Sequence, residues 1–172
     1  AGPGLIVVGS HVETTSRQLA HLLGALAAHE VTARELPVDA VVAGGAGAAI
    51  GEAAAALDAA LRAGRIGLVA TERTRRDIGL EGGRAVSRAL VEVVCRVATR
   101  PAWVIAKGGI TSSDIASDAL EMREARVAGQ ILPGVPVWIG ADASRWPGVP
   151  LVVFPGNVGT VDALERVVAA LR

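Results

Sequence analysis

Ala102-Trp103-Val104-Ile105-Ala106-Lys107-Gly108-Gly109-Ile110-Thr111-Ser112-Ser113-Asp114 carries an apolar run straight into a glycine pair and then into a row of hydroxyl residues. The apolar run has the pattern of a strand covered on both faces, as in a parallel sheet. The residues after it predict a short helix near 112–120. A strand that feeds a helix through a tight glycine turn is the unit of an α/β fold. The chain upstream repeats it. Leu5-Ile6-Val7-Val8-Gly9 reads as a strand, and Leu19, Leu22, Leu23 and Leu26 recur at helical spacing over 15–29. A second strand is expected over 31–36, an Ala-rich helix over 48–63 ending at Gly64, and a third strand over 66–71. Val86, Leu90, Val94 and Val97 mark one face of a helix over 81–98.

Downstream of Asp114 the rhythm changes. Strand-like runs at 125–132, 135–139 and 151–154 follow each other quickly, with Pro133-Gly134 and Pro147-Gly148 as turn signals. A last helix is expected over 160–171, with Val161, Leu164, Val168 and Leu171 turned inward. The expected fold class is α/β: a mostly parallel open sheet with helices on both faces, extended by antiparallel or mixed strands in the C-terminal third. No repeat or linker divides residues 1–172, so one domain is expected.

Composition removes several function classes. Seventeen basic and seventeen acidic residues give a formal net charge of zero, and no basic stripe stands out, so nucleic acid is not an expected partner. With three Trp, one Phe and no Tyr, the chain lacks the aromatic platforms that stack bases or sugars. The single cysteine, Cys95, rules out an internal disulfide and reads as a buried, inert thiol among valines. No apolar run approaches the ~20 residues that span a bilayer, so no membrane role is expected. The start, Ala1-Gly2-Pro3-Gly4, has no basic-then-apolar leader and reads like the opening of a domain cut from a longer protein. A cytoplasmic location is therefore expected.

The chemistry concentrates at strand ends. Gly108 and Gly109 admit a close approach to the backbone, and the following helix start offers unpaired amides with the positive end of its dipole. Thr111 and Ser112 add hydroxyl donors, and Lys107 adds a point charge. The same residues also read as a capping box, in which Thr111 and Asp114 satisfy helix-start amides. Spacing alone does not choose between a phosphate cradle and a capped helix. Ser10, after the first strand, sits at the edge where open parallel sheets bind ligands. Thr15 and Gln18 beside it fit a second capping box, and His11 reads as a solvated loop residue. Phe154-Pro155-Gly156-Asn157-Val158-Gly159 repeats the strand–glycine turn–helix pattern and is expected to form the opposite wall of one pocket.

Two further stretches need weighing. Gly45-Ala46-Gly47-Ala48-Ala49-Ile50-Gly51 imitates a dinucleotide fingerprint, but its third glycine comes one position late and it lies outside the first β–α unit. It reads as a flexible Ala/Gly loop, which leaves a dinucleotide oxidoreductase with little support. Arg73, Arg75 and Arg76 form a basic cluster after the third strand, at the same sheet edge as Ser10; they read as a solvated loop or as phosphate ligands. No metal-ligand set and no nucleophile triad is visible.

In order along the chain, four motifs resemble a known family. They are Gly9-Ser10 with Thr15 and Gln18; Lys107 through Ala116; Gly129-Gln130-Ile131-Leu132-Pro133-Gly134-Val135-Pro136; and Phe154 through Gly159. Together they resemble the C-terminal nucleotide-binding domain of the four-carbon acid sugar kinases, and the likeness covers essentially the whole chain. The resemblance implies ATP-dependent phosphorylation of threonate, erythronate or 3-oxo-tetronate, with ATP and Mg²⁺ as cofactors. It implies nucleotide contacts at Ser10, at Gly108, Gly109, Ile110, Thr111 and Ser112, and at Gly156, Asn157 and Gly159. Many family members carry Glu or Asp where this chain has Ile110, which puts any role of that acid in doubt here. The acid-sugar site of the family lies mainly in an N-terminal domain that nothing in this chain matches. The implied protein is thus the nucleotide half of a longer kinase, inactive alone, with its catalytic base unassigned and its oligomeric state open. The alternative is a non-catalytic module that senses a nucleotide or sugar phosphate.

Overall fold

A computed structural model describes residues 2–73 and 78–172. Its strands are β1 (Gly4–Val8), β2 (Val31–Leu36), β3 (Ile66–Thr71), β4 (Trp103–Lys107), β5 (Ala125–Leu132), β6 (Val135–Gly140) and β7 (Pro150–Phe154). They form one sheet in the order β2-β3-β1-β4-β7-β6-β5. The pairings β2–β3, β3–β1, β1–β4 and β4–β7 are parallel, whereas β7–β6 and β6–β5 are antiparallel. The expected class, including its antiparallel extension, is therefore observed.

The helices are α1 (Glu13–Ala25), α2 (Val38–Val42), α3 (Gly47–Arg62), α4 (Gly79–Arg96), α5 (Gly109–Asp114) and α6 (Ala163–Leu171). α5 continues without a break into a wider π-helical turn, Ile115–Ala119. Side chains alternate across a strand, and β1 shows the consequence. Leu5 and Val7 face a core built with Leu57 of α3 and Leu90 and Val93 of α4. Ile6 and Val8 face a second core with Leu19 and Leu22 of α1 and Leu164 and Val168 of α6. β1, β3 and β4 are buried along their whole length, which is why they read as unbroken apolar runs.

Several expectations change. The stretch 38–46 holds helix α2, and α3 begins at Gly47, so most of the supposed Ala/Gly loop is helical. α6 starts at Ala163, later than expected, and Val161 is exposed rather than inward. Cys95 lies on the outer side of α4 and is exposed; partial burial nevertheless pushes its thiol pKa up. The loop after β6 is pinned by Arg145, whose guanidinium donates to the carbonyls of Val94, Cys95 and Val97 at 2.8, 2.8 and 2.5 Å. It thereby occupies the unpaired carbonyls at the end of α4. β5 forms the far edge, exposed over most of its length and broken by register shifts near Gly129 and Ile131, with Arg126 among its residues. Such breaks and charges oppose edge-to-edge pairing. Among the described residues, no helix is long and apolar enough to cross a membrane.

Candidate functional site

The connection from β1 enters α1 on one face of the sheet, and the connection from β4 enters α5 on the other. Adjacent parallel strands whose connections part in this way leave a crevice at their carboxyl ends, the place where open α/β sheets bind ligands. The turns after β1, β4 and β7 meet there. The amides of Gly9 and Ser10 both donate to the Lys107 carbonyl at 3.2 Å, and the Gly108 amide donates to the Phe154 carbonyl at 2.8 Å. Ser10, the Gly108 turn and the Gly156 turn, far apart in sequence, are thus neighbours.

Contacts here are close enough to demand glycine. A Cβ on Gly156 would overlap Ser10 Oγ, and one on Gly9 would overlap Thr111 Oγ1. Gly108 has φ +123°, and its Cβ would lie 3.1 Å from both Ser10 Cβ and Thr111 Oγ1. That backbone conformation disfavours any other residue. Gly109 differs, because a Cβ there meets nothing within 4 Å. The turn is closed beneath Gly108 and open above Gly109.

α5 begins at Gly109 with Gly108 as its N-cap and no side-chain cap bond. The capping-box expectation for Thr111 and Asp114 is therefore corrected: the positive φ of Gly108 starts the helix earlier, placing Thr111 inside it. Ser112 is buried, and its hydroxyl donates to the Ala106 carbonyl at 2.7 Å while its amide donates to Gly108 at 2.8 Å. Ser112 ties the turn to β4. Ile110 projects outward, 73% exposed, and Asn157 and Gly159 are exposed on the β7 turn.

The second capping box is corrected as well. α1 starts at Glu13 after Val12, so Thr15 and Gln18 lie within the helix and are completely buried. The Thr15 hydroxyl donates to the Gly156 carbonyl at 2.8 Å and lies 3.1 Å from Ser10 Oγ. Gln18 Nε2 donates to the carbonyls of Val158 and Thr160 at 2.9 and 2.8 Å. Both side chains hold the β7 turn against α1. Lys107, read as a point charge for a ligand, is wholly buried; its Nζ donates to the Pro155 carbonyl at 2.7 Å and stands 3.6 Å from the Phe154 ring centroid. Burial lowers its pKa to about 7.

On the β3 side, Arg73 donates through Nη2 to the Ser10 carbonyl at 2.7 Å and through Nε to Ser16 Oγ at 3.1 Å. Its Nη1 is buried without a partner among the described residues. Arg75 and Arg76 lie outside the described residues. His11 is half-buried rather than solvated, with Nε2 3.0 Å from Thr71 Oγ1. Burial and then the charge of Arg73 lower its pKa.

A cavity of about 320 Å³ opens beside Gly9 and Thr111, between α4 and α5. Val86, Leu90, Ile78 and Leu80 give it apolar walls; Ser87 and Asp114 are polar members of its lining. Ser87 Oγ donates to Asp114 Oδ2. Sequence reading missed this cavity. Its only signal was that the first turns of α4 follow β3, at the same sheet edge as Ser10. Among the described residues no group of three or more His, Cys, Asp or Glu side chains could hold a metal ion.

Comparison with solved structures gives the same fold. A Bordetella bronchiseptica protein with a domain of unknown function (DUF1537), crystallised with citrate as a domain-swapped dimer, matches with TM-score 0.78 and 26% identity over 99% of this chain. A second crystal form of it matches with TM-score 0.72 and 28% identity, again over 99% of this chain. A Haemophilus influenzae DUF1537 protein matches over 100% of this chain with TM-score 0.78 and 16% identity. This chain covers 41, 39 and 41% of those three longer chains. Curated proteins yield no significant match. The family model described as a nucleotide-binding C-terminal domain matches residues 5–164, so the chain belongs to the family of nucleotide-binding C-terminal domains.

Proposed function

We propose that this chain is the nucleotide-binding part of an ATP-dependent kinase that phosphorylates four-carbon sugar acids. The observation that carries the nucleotide reading is the meeting of three strand-end turns at one crevice, with Gly109 open above them and a cavity alongside. The kinase and its substrate class rest on the four ordered motifs. The solved relatives are more than twice as long as this chain, which fits a sugar-acid site supplied by another domain.

The residues present suit a triphosphate. α5 starts at Gly109, where the turn is open, so its first amides are donors available to phosphate, and Ser10 packs against Gly108 and Gly156. ATP supplies the transferred phosphoryl group, with Mg²⁺ neutralising its charge. Because the described residues build no carboxylate cage, Mg²⁺ would be held chiefly by phosphate oxygens and water. The contribution of the chain is positioning: Gly108 and Gly109 admit the phosphates, Ser10 and Thr111 border them, and Gly156, Asn157 and Gly159 form the far wall. Ile110 and Ser112 act by shaping the turn.

Titrating the chain with Mg-ATP by calorimetry tests the binding step; micromolar to sub-millimolar affinity is expected, and no heat at millimolar nucleotide would overturn it. Assays of the full-length protein against threonate, erythronate and 3-oxo-tetronate test the kinase. A sensor without catalysis is the second reading, favoured by Ile110, an exposed apolar side chain at the rim of the phosphate turn. Nucleotide binding without turnover on any four-carbon acid would select it.

A further inference from the structure

We propose that the cavity between α4 and α5 receives the nucleoside, and that the Ser87–Asp114 pair binds its ribose hydroxyls. This rests on the nucleotide reading above and adds to it a sugar subsite with its own selectivity.

The cavity is continuous with the phosphate turn, since Gly9 and Thr111 belong to both. Its volume, about 320 Å³, is of the size that takes a small ligand. Asp114 follows Ile110 by four residues and Thr111 by three, so it neighbours each of them across one turn of α5, and all three line the cavity. At ~1.5 Å rise per residue, Asp114 stands ~7–8 Å along the helix from Gly109. A ribose attached to phosphates at the turn lies at about that distance.

Chemistry narrows the choice of group. An ionised carboxylate accepts hydrogen bonds and repels phosphate, so Asp114 is unsuited to the phosphates themselves. Ser87 is buried and donates to one carboxylate oxygen, which holds the group in place and leaves the other to accept from a ligand. Neighbouring hydroxyls on a ribose are donors of the matching kind, and acidic residues bind ribose hydroxyls in this way in other open α/β sheets. Beyond the pair, the apolar walls suit a flat base, with Leu80 and Ile110 exposed at the mouth by 70 and 73%.

The test is calorimetry of this chain with Mg²⁺ complexes of ATP, 2′-deoxy-ATP, 3′-deoxy-ATP and inorganic tripolyphosphate. At least one deoxy nucleotide should bind about tenfold more weakly than ATP, the loss expected for a hydrogen bond to a charged group. Tripolyphosphate should bind more weakly still. Asp114→Asn, and separately Ser87→Ala in case the first variant folds poorly, should weaken ATP while leaving the deoxy nucleotide nearly unchanged, so the ratio collapses toward one. Equal affinity of the wild type for ATP and both deoxy forms overturns the ribose assignment and leaves the nucleotide reading standing. An undiminished ratio in the folded Asp114→Asn variant does the same. Absence of any ATP binding overturns both.

Discussion

The polar side chains that pack around the turn after β7 and those that line the cavity between α4 and α5 are used differently. On the α1 side, Thr15, Gln18 and Lys107 are fully buried, and each donates to a backbone carbonyl of the stretch 155–160. On the α4–α5 side, Ser87 and Asp114 bond to each other and border an empty volume. A turn such as 155–160 carries carbonyls that a helix or sheet would have satisfied, and buried carbonyls need partners. The α1 side spends its polar groups on that need. On the other side Ser87 and Asp114 bond to each other rather than to backbone carbonyls, so they are not spent on holding a turn. Burial of a polar residue at a sheet edge is therefore not by itself a sign of binding; the partner decides.

The sharpest way to break this comparison is at the hinge between the sides. Gly108→Val forces a branched side chain into φ +123° and against Ser10 and Thr111. Strain of that kind costs ~1–3 kcal/mol, and the turn must shift to relieve it. Mg-ATP binding should fall below detection by calorimetry while a thermal melt still shows a folded, weakened chain. Wild-type affinity in this variant would move the phosphate site away from the turn. Gln18→Leu probes the α1 side alone. It leaves the carbonyls of Val158 and Thr160 without their donor, at ~1–2 kcal/mol for each of these part-buried groups. Urea unfolding should show a loss of ~2–4 kcal/mol, with ATP affinity of the folded chain changed only a few-fold. A large loss of affinity at unchanged stability would make Gln18 a ligand contact.

These outcomes bear on how much the sequence could reveal. The fold was legible because β1, β3 and β4 are buried on both faces, and double burial writes an unbroken apolar run that few other structures produce. Glycines also announced the turns, since the close approaches at Gly9, Gly108 and Gly156 exclude a Cβ. What the sequence hid was direction. Thr15-Ser16-Arg17-Gln18 and Thr111-Ser112-Ser113-Asp114 both match a capping box, and both lie inside helices that start two residues earlier. A capping pattern records local bonding that is available, whereas tertiary partners 27 residues away, as for Ser87 and Asp114, or 141 away, as for Thr15 and Gly156, decide what forms. Lys107 was misjudged for the same reason. Its place at the end of β4 suggests a ligand, but side chains alternate along the strand: Lys107 shares the face of Trp103 and Ile105, inside the α1–α6 core.

That burial makes Lys107 a pH probe of the α1 side. Its pKa is about 7 in the folded chain, lowered by burial, against ~10.4 for a free lysine. Between those values the unfolded chain holds a proton that the folded chain lacks, so this group makes stability rise as pH increases from about 7 to about 10. Lys107→Met removes the titrating group and keeps the apolar stem. The stability of wild type minus variant should therefore grow with pH across that window, by at most ~1.4 kcal/mol per unit, as read from urea unfolding at several pH values. Other groups titrate equally in both chains and cancel in the difference. A difference that stays flat from pH 7 to 10 would mean that the amine remains charged beside Pro155 and Phe154.

The smallest change sharpens the comparison most, because it should move stability and affinity in opposite directions. Gly109 is the first residue of α5, its φ is not positive, and an added Cβ meets nothing within 4 Å. Gly109→Ala therefore lowers the entropy of the unfolded chain without straining the folded one, for a gain of ~0.4–1 kcal/mol. The methyl group would stand on the open side of the turn, where the phosphates approach, so ATP affinity should drop several-fold while the melting temperature rises by a few degrees. An isosteric position with no ligand above it would show the gain in stability alone. Unchanged affinity in Gly109→Ala would place the phosphates on the closed side of the turn or elsewhere; a loss paired with greater stability can come only from occupied space above Gly109.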